Sequence, residues 1–507
     1  MCKPARTETA CRKESFYVFS TLSKKFGSDK DYAPRVAILA MRQRVLDGTL
    51  YDKLKYDFHE ERTDAGEYIK LADRKPSVRY NLSKIVVDDS VSLLFGEARF
   101  PKIVCEDRAS AEELKQIVDE TGLDDVMQEA AFRGSIGSVA VWMRVLENRL
   151  FFDVMDTLYL TPTWRPEAPD TLQSVTEQYK VRGDALKAIG YDIPDSDAGV
   201  QFWFRRVWDD QNETWYLPWK VNPRPGDPGP QIDEAKSVNH RLGFVPIVWI
   251  KNLPGGDAID GLCTFKPAIE TQIEMEYQLS QAGRGLKYSS DPTLLIKDPA
   301  SEEGAPVIKG GSNALVVDEK GDAKLLEISG RASEAVIKYV ETLRQMALES
   351  IHGNRSSADK LAMAQSGRAL EILHQPLIWL ADKLRTSYGT RALLPLVKMA
   401  IAARRVYPLR LNNRDMIQFP TDLRVSLNWP DWFHPTMTDK AQEGERVIRL
   451  YSGGLLSRET GLGVIQDNNG FPDIEAEASR IDADTAAKDA RAIKMGAAVT
   501  ATDPLTT

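Results

Sequence analysis

The sequence predicts an α+β chain built in regions. A helical start leads to a β-rich middle, then two long helices around a small β insertion, then a helical C-terminal end. Three observations carry this. Tryptophan-rich runs with period-two apolar spacing cluster between residues 139 and 250. Two helical runs, GLCTFKPAIETQIEMEYQLSQAGRGL (261–286) and RASEAVIKYVETLRQMALESI (331–351), enclose short strand candidates. The loop HGNRSSADKL (352–361) then follows, too polar and too rich in Gly and Ser to be core. Two helices that leave a body, carry a small domain and return to a polar loop make a lever-like element.

The elements follow in order. Residues 1–31 read as a tail, and Tyr32–Leu54 as a basic helical segment. YNLSKIVVDDSVSLLFGEA (80–98) is a buried helix, with Leu82, Ile85, Val86, Ser90, Val91, Leu93 and Leu94 near helical spacing and a stop at Gly96. FPKIVCE is a strand. SAEELKQIVDETG (110–122) has capping-box spacing at Ser110 and Glu113, with Gly122 past its end. DDVMQEAAFRGSIGS (124–138) is another helix. VAVWMRVLE and RLFFDVMD are strands joined at Asn148, followed by QSVTEQYKV, VQFWFRRVWDD and TWYLPWKV. Pro and Gly make 221–240 a loop, and VPIVWI (245–250) is one more buried strand.

In the insertion, TLLIK (293–297), ALVVD (314–318) and KLLEI (324–328) are strand candidates. DEKGD suggests a hairpin between the last two, turning at Gly321. A long helix is expected from Ala362 through RTSYG, kinked at Pro376 and continued by RALLPLVKMAIAARR. From Lys383 to Arg414 there are eight Lys or Arg and no Asp or Glu. VSLNWPDWF (425–433) is a strand and turn. Residues 436–507 read as three helices, with a disordered end after Gly496.

The 507 residues suffice for several cores. Hydrophobic residues at 42% and charged residues at 28% fit a globular protein, and no apolar run is long enough to span a membrane. The N-terminus is basic but lacks the apolar core of a secretory signal. Cys2, Cys11, Cys105 and Cys263 are scattered and read as reduced thiols. Cys2 and Cys11 leave a disulfide or a metal pair as the alternative. A net charge of −8 argues against a surface that grips nucleic acid throughout, though not against one that lets DNA slide past.

Enzyme motifs are missing. There is no P-loop, no GxGxxG between strand and helix, no HExxH, no GxSxG and no EF-hand loop. His59, His240, His352, His374 and His434 show no metal-ligand spacing. The acidic pairs Asp88/Asp89, Asp124/Asp125, Asp195/Asp197 and Asp209/Asp210 suit a two-metal nuclease by type. Adjacent helical residues point apart, however, and Asp is common at helix starts and loops. No catalytic residue, metal or cofactor is assigned.

Taken in order, several motifs resemble the portal (head-to-tail connector) proteins of tailed double-stranded DNA bacteriophages. YNLSKIVVDDSVSLLFGEARFPKIVCED is similar to that family's early helix, Leu-Phe-Gly turn and strand. EAAFRGSIGSVAVWMRV and HRLGFVPIVWIKNLPGGDAIDGL are similar to its next helix–turn–strand and its approach to the stem. IHGNRSSADKLAMAQSGRALEIL resembles its channel-facing loop and the helix behind it, with Ser366–Leu370 as a Ser-Gly-x-Ala-Leu run. VSLNWPDWFHPTMTDKAQEGERVIRLYSGGLLSRETGL with DIEAEASRID resembles its C-terminal part. The resemblance covers about Tyr32 to Asp484, and residues 170–240 depart from it most.

The resemblance implies a multi-region portal fold. Its parts are an N-terminal tail (1–31), a β-rich wing (32–260) and a two-helix stem (261–286 and 331–351) with a small α/β clip (287–330). A tunnel loop (352–362), a long kinked helix with wing return (363–435), a helical crown (436–495) and a disordered tail (496–507) complete it. It implies a homo-oligomeric ring, usually of twelve subunits, at one capsid vertex of a virion assembled in the host cytoplasm. Double-stranded DNA would pass through the ring during packaging, retention and ejection. Partners would be the terminase ATPase, a head-completion or adaptor protein, and capsid and scaffolding proteins, with no membrane. Twelve chains at −8 would make an acidic particle that repels DNA. Transient phosphate contacts would come from Lys266, Arg284 and Lys287, Lys338 and Arg344, and the loop residues Arg355 and Lys360. The basic 383–414 window would face DNA or an acidic helix of a neighbouring subunit. The competing readings are a metal-dependent DNA-processing enzyme and a minor head structural protein without a channel.

Overall fold

Asn81 starts the first strongly buried helix because its side chain accepts the Lys84 N–H, as an N-cap should. The computed structural model describes residues 29–96, 99–290, 293–299, 317–326, 331–353, 374–432, 437–469 and 474–500. They form a mixed helix-and-sheet chain that divides into two units, residues 1–355 with 376–430, and residues 356–375 with 431–507.

The first unit opens with α1 (Pro34–Leu46), shorter than the helical pattern to Leu54 suggested, since residues 47–54 form turns. Asp29 and Asp31, read as part of a tail, hold Lys180 at 2.5 and 2.6 Å. The two-residue strands β1 (Tyr56–Asp57) and β2 (Arg74–Lys75) pair in parallel. α2 (Leu82–Phe95) ends at Gly96, and β3 (Lys102–Cys105) follows.

α3 (Arg108–Thr121) has its cap three residues earlier than the capping-box reading placed it. Asp107 is the cap, accepting Ser110 N–H at 2.9 Å and Ser110 Oγ at 2.5 Å. Glu113 is buried instead, accepting Arg414 at 2.5 Å and Ile417 N–H at 3.2 Å. The Ser110 donors hold the Asp107 carboxyl below the usual carboxylate range. A depressed carboxyl stabilises the fold above its unfolded pKa, and that contribution is lost as pH falls through the acid range. Asp107→Ala should therefore lower the urea midpoint at neutral pH. The gap to wild type should close below about pH 4, which a pH series of urea melts would read.

α4 (Leu123–Gly134) leads into β4 (Ser138–Leu146) and β5 (Arg149–Asp156). Glu147 and Asn148, at φ 50° and 64°, make the two-residue hairpin turn whose twist matches the strands. β4 is central, pairing with β5 on one side and with β13 (Ile247–Lys251) on the other. Between them come β6 (Leu160–Arg165), β7 (Ala168–Arg182), the short α5 (Gly183–Ala188), β8 (Gln201–Trp208) and β9 (Asn212–Leu217). The short β10 (Trp219–Lys220), β11 (Gln231–Ile232) and β12 (Val238–Asn239) complete an antiparallel sheet of order β11-β9-β8-β7-β6, with β10 on β8 and β12 on β9. The tryptophans join the two sheets. Trp142 of β4 packs with Trp208 of β8 and Trp249 of β13 in one cluster. The Arg206 guanidinium lies 4.3–4.7 Å from the ring centres of Trp142, Trp208 and Trp215 and pairs with Glu177 at 2.9 Å.

α6 (Ile269–Ser290) follows a 3₁₀ turn at Lys266–Ala268. β14 (Thr293–Pro299) and β15 (Val317–Leu326) then form an antiparallel ribbon, and α7 (Arg331–Ser350) returns. The expected hairpin at DEKGD is not formed. Those residues run inside β15, and the register shifts between Pro299↔Val317 and Lys297↔Asp322. The turn-prone residues thus appear as a bulge in one strand.

Pro376 sits in the first turn of α8 (Gln375–Leu384), where its missing N–H costs no helical bond. The expected run from Ala362 up to Leu373 lies outside the described residues. A π-helical stretch follows at Arg385–Leu393, before α9 (Leu394–Val406). β16 (Arg410–Leu411) and β17 (Arg414–Asp415) make a tight hairpin, and β18 (Val425–Asn428) pairs with β3. The main core gathers α1, α2, α3, α4, β4, β5, the start of α6, the π stretch and α9.

The second unit contains α10 (Met437–Ser452), α11 (Arg458–Asn469) and α12 (Ile474–Thr500). Ser457 caps α11 through Thr460 N–H at 3.2 Å, and Arg458 pairs with Asp482 of α12.

Candidate functional site

The two long helices form an arm. At 22 and 20 residues, α6 and α7 are about 33 and 30 Å long. Ala268, before α6, shares a cluster with Ala347, Leu348 and Ile351 at the end of α7, so the helices run antiparallel. Leu82 and Val86 of α2 complete that cluster and root the arm in the body. The return is tight: a Cβ on Gly353 would stand 2.5 Å from Val86 Cγ2. Along α7, Val336, Val340, Leu343 and Ala347 keep one face toward this cluster. Ile337, Tyr339 and Met346 are 48, 47 and 59% exposed, as is Leu286 of α6 at 46%.

The root of α6 is buried almost all round, yet it carries a polar stripe at four-residue spacing, Gln272, Glu276 and Ser280. Ser83 donates to Gln272 Oε1 through its N–H at 3.0 Å and its hydroxyl at 2.6 Å. Gln272 Nε2 donates to Glu276 Oε1 at 3.1 Å, and Tyr51 Oη donates to Glu276 Oε2 at 2.5 Å. Val78 N–H donates to Ser280 Oγ at 3.0 Å, and that hydroxyl donates to the Glu276 carbonyl at 2.7 Å. Burial pushes the Glu276 carboxyl up to about 7, against the pull of the Tyr51 and Gln272 donors. Burial also raises the Tyr51 and Tyr277 phenols. Sequence reasoning missed this stripe, although its spacing within an otherwise core-like helix was a visible signal.

The proposed phosphate contacts are dispersed. Lys266 is exposed in the 3₁₀ turn and Lys287 in the last turn of α6. Arg284 is half-buried and ion-paired with Glu61. Lys338 and Arg344 are exposed on α7, but six residues apart they lie about 120° around the helix from each other. Lys338 points away from the α6 contact, while Arg344 Nε donates to Tyr80 Oη at 3.2 Å. Arg355 and Lys360 lie outside the described residues.

Much of the basic 383–414 window is used within the chain. Arg385 donates to the Pro430 carbonyl, Arg404 to the Met416 carbonyl and Arg405 to the Pro420 and Thr421 carbonyls. Arg410 pairs with Asp415 and Arg414 with Glu113. Lys383, Arg391 and Lys398 are exposed.

The acidic pairs are likewise occupied by local structure. Asp88 pairs with Lys84, and Asp124 and Asp125 sit in the first turn of α4. Asp209 accepts the N–H groups of Gln211 and Asn212, and Asp210 pairs with Arg165. Asp195 pairs with Lys187, and Asp197 with Lys220. Among the described residues, no group of three His, Cys, Asp or Glu is placed to hold a metal ion, and no helix is long and apolar enough to cross a membrane. No protein-family model matches the chain, and no curated protein is found to be similar to it.

Proposed function

We propose that this chain is a subunit of a portal ring, the DNA channel at one vertex of a bacteriophage capsid. The observation that carries the reading is the arm: two antiparallel helices rooted in the main core, a β ribbon at their far end, and apolar side chains left exposed along them. A closed ring needs two different patches that meet around an axis, and Tyr339 and Met346, on one face of α7, suit such a contact. On this reading α6 and α7 are the stem, the ribbon belongs to the clip, and the β7–β9 sheet is part of the wing. Residues 352–362 are the tunnel loop, residues 363–435 the support helix and wing return, and the α10–α12 helices the crown. The subunit conducts DNA and docks the terminase ATPase and a head-completion protein, and catalysis lies with the terminase.

Light scattering and negative-stain imaging of the purified chain test this. The expected result is a ring of about twelve 56.7-kDa chains with a central hole. A stable monomer that cuts DNA when a divalent metal is added would overturn it in favour of a processing enzyme. A closed assembly with no hole would favour a head protein without a channel. Arg355→Ala with Lys360→Ala should leave the ring intact while lowering packaging or retention of DNA in assembled heads. Loss of the ring instead would make that loop structural.

A further inference from the structure

We propose that Tyr51, Gln272, Glu276 and Ser280 form a proton-operated latch at the root of the arm. With a proton on Glu276, α6 seats firmly on the Val78–Ser83 segment. When that proton leaves, the seating loosens.

The argument starts from the cluster's connections. Gln272 Oε1 is occupied by both Ser83 donors, so its amide nitrogen is the end that faces Glu276. Glu276 is 2% exposed. The charged groups around it make their contacts elsewhere, although the nearby Arg79 charge still pulls the Glu276 carboxyl down against burial. Arg79, from the segment before α2, pairs with Asp52 at 2.8 Å and stands 5.9 Å from the Tyr51 ring centre. Arg344 of α7 reaches Tyr80 Oη. Arg74 spends its guanidinium on the Ile69 carbonyl, and Tyr277, beside Glu276 on α6, donates its hydroxyl to the Arg74 carbonyl. Neutral donors from Tyr51, Gln272 and the Tyr80 backbone are what the carboxylate has in place of a contacting cation.

The neutral carboxyl fits this site with its heavy atoms where they are. A phenol hydroxyl both donates and accepts, so a proton taken from solvent by Glu276 lies along the same 2.5 Å line to Tyr51, whose own hydrogen rotates away. Gln272 still donates to the other oxygen. The ionised carboxylate must instead hold a full charge out of water, a cost relieved when the root opens and hydrates it. Opening there frees the Val78 and Ser83 bonds together, because Ser280 and Gln272 sit on the same stripe. The carboxyl's midpoint near 7 places the switch close to neutral pH.

Amide exchange of residues 78–86 and 270–282, followed by mass spectrometry and corrected for intrinsic rates, reads the latch. In wild type, protection should fall several-fold as pH rises from the ordinary carboxyl value of 4.5 and level off at about 7, with the midpoint of the fall between the two. Glu276→Gln should abolish the step. Tyr51→Phe removes a donor to the ionised form, so the midpoint should move upward. A purely structural role would lower protection at every pH and leave the midpoint where it was. A wild-type profile without a step, a step that survives in E276Q, or an unmoved midpoint in Y51F would overturn the proposal. Should E276Q not fold, the wild-type and Y51F profiles decide alone. The measurement involves neither DNA nor ring assembly, so its failure and a failure of the channel reading are told apart.

Discussion

Asp260→Ala should destabilise the chain by about 3–5 kcal/mol, read as a fall in the urea midpoint with an unchanged slope. Asp260 closes the glycine-rich turn before the arm, and its side chain is 10% exposed. Both of its oxygens are bound by Arg35, Nε to Oδ2 at 2.5 Å and Nη2 to Oδ1 at 2.8 Å. Ser138 Oγ donates to Oδ1 as well. Arg35 also donates to the carbonyls of Thr157 and Leu160, so one guanidinium ties α1, β4, the start of β6 and the turn together. Removing the carboxylate leaves a largely buried cation facing a hydroxyl and two carbonyls, and that unpaired charge sets the size of the effect. Replacing both partners, Arg35→Met with Asp260→Leu, should recover most of the loss. A single-mutant cost under about 1 kcal/mol would mean that water reaches the pair and screens it.

Gly134→Ala is the second large effect, expected at about 2–4 kcal/mol from overpacking plus a broken buried hydrogen bond. A Cβ there would stand 2.1 Å from Tyr388 Oη and 2.9 Å from Val139 Cγ1. Tyr388 is fully buried in the π stretch and donates to Asn252 Oδ1 at 3.0 Å. Asn252 in turn donates to the Leu262 carbonyl and Thr264 Oγ1, both at 2.9 Å. The substitution must therefore push the tyrosine off the asparagine that organises the approach to the arm. Tyr388→Phe removes the clashing oxygen, so adding Gly134→Ala in that background should cost markedly less than alone. Equal costs in the two backgrounds, by paired denaturation curves, would show that the tyrosine does not carry the strain.

Elements whose signals are local were legible in the sequence. The α2 helix, the β4–β5 hairpin and the tryptophan-rich sheet follow from spacing and turn residues that need no distant partner. Errors arose where tertiary contacts chose between equivalent local options. Asp107 and Ser110 are both good caps, and Glu113 is drawn away from the box by Arg414 three hundred residues on. DEKGD has turn composition, yet pairing of Val317 and Asp322 with β14 on either side of the register shift leaves it as a bulge within one strand. The candidate basic residues were found by type, but facing direction depends on helix phase and on partners such as Glu61 and Tyr80. The Gln272–Glu276–Ser280 stripe was visible in its spacing but passed over, because polar residues in a long helix ordinarily mark its solvent side.

That stripe has a mechanical consequence. Apolar faces slide past one another with little angular preference, whereas hydrogen bonds are directional. The Val78, Ser83 and Tyr51 bonds therefore fix the azimuth and tilt of α6 as a keyway fixes a shaft. With about 20 Å of α6 beyond Glu276, each degree of tilt at the root moves the far end of the helix by about 0.4 Å. The position of the β ribbon is thus set by a few polar atoms near Glu276, and a tilt of a few degrees there becomes a displacement of about an ångström where the ribbon begins.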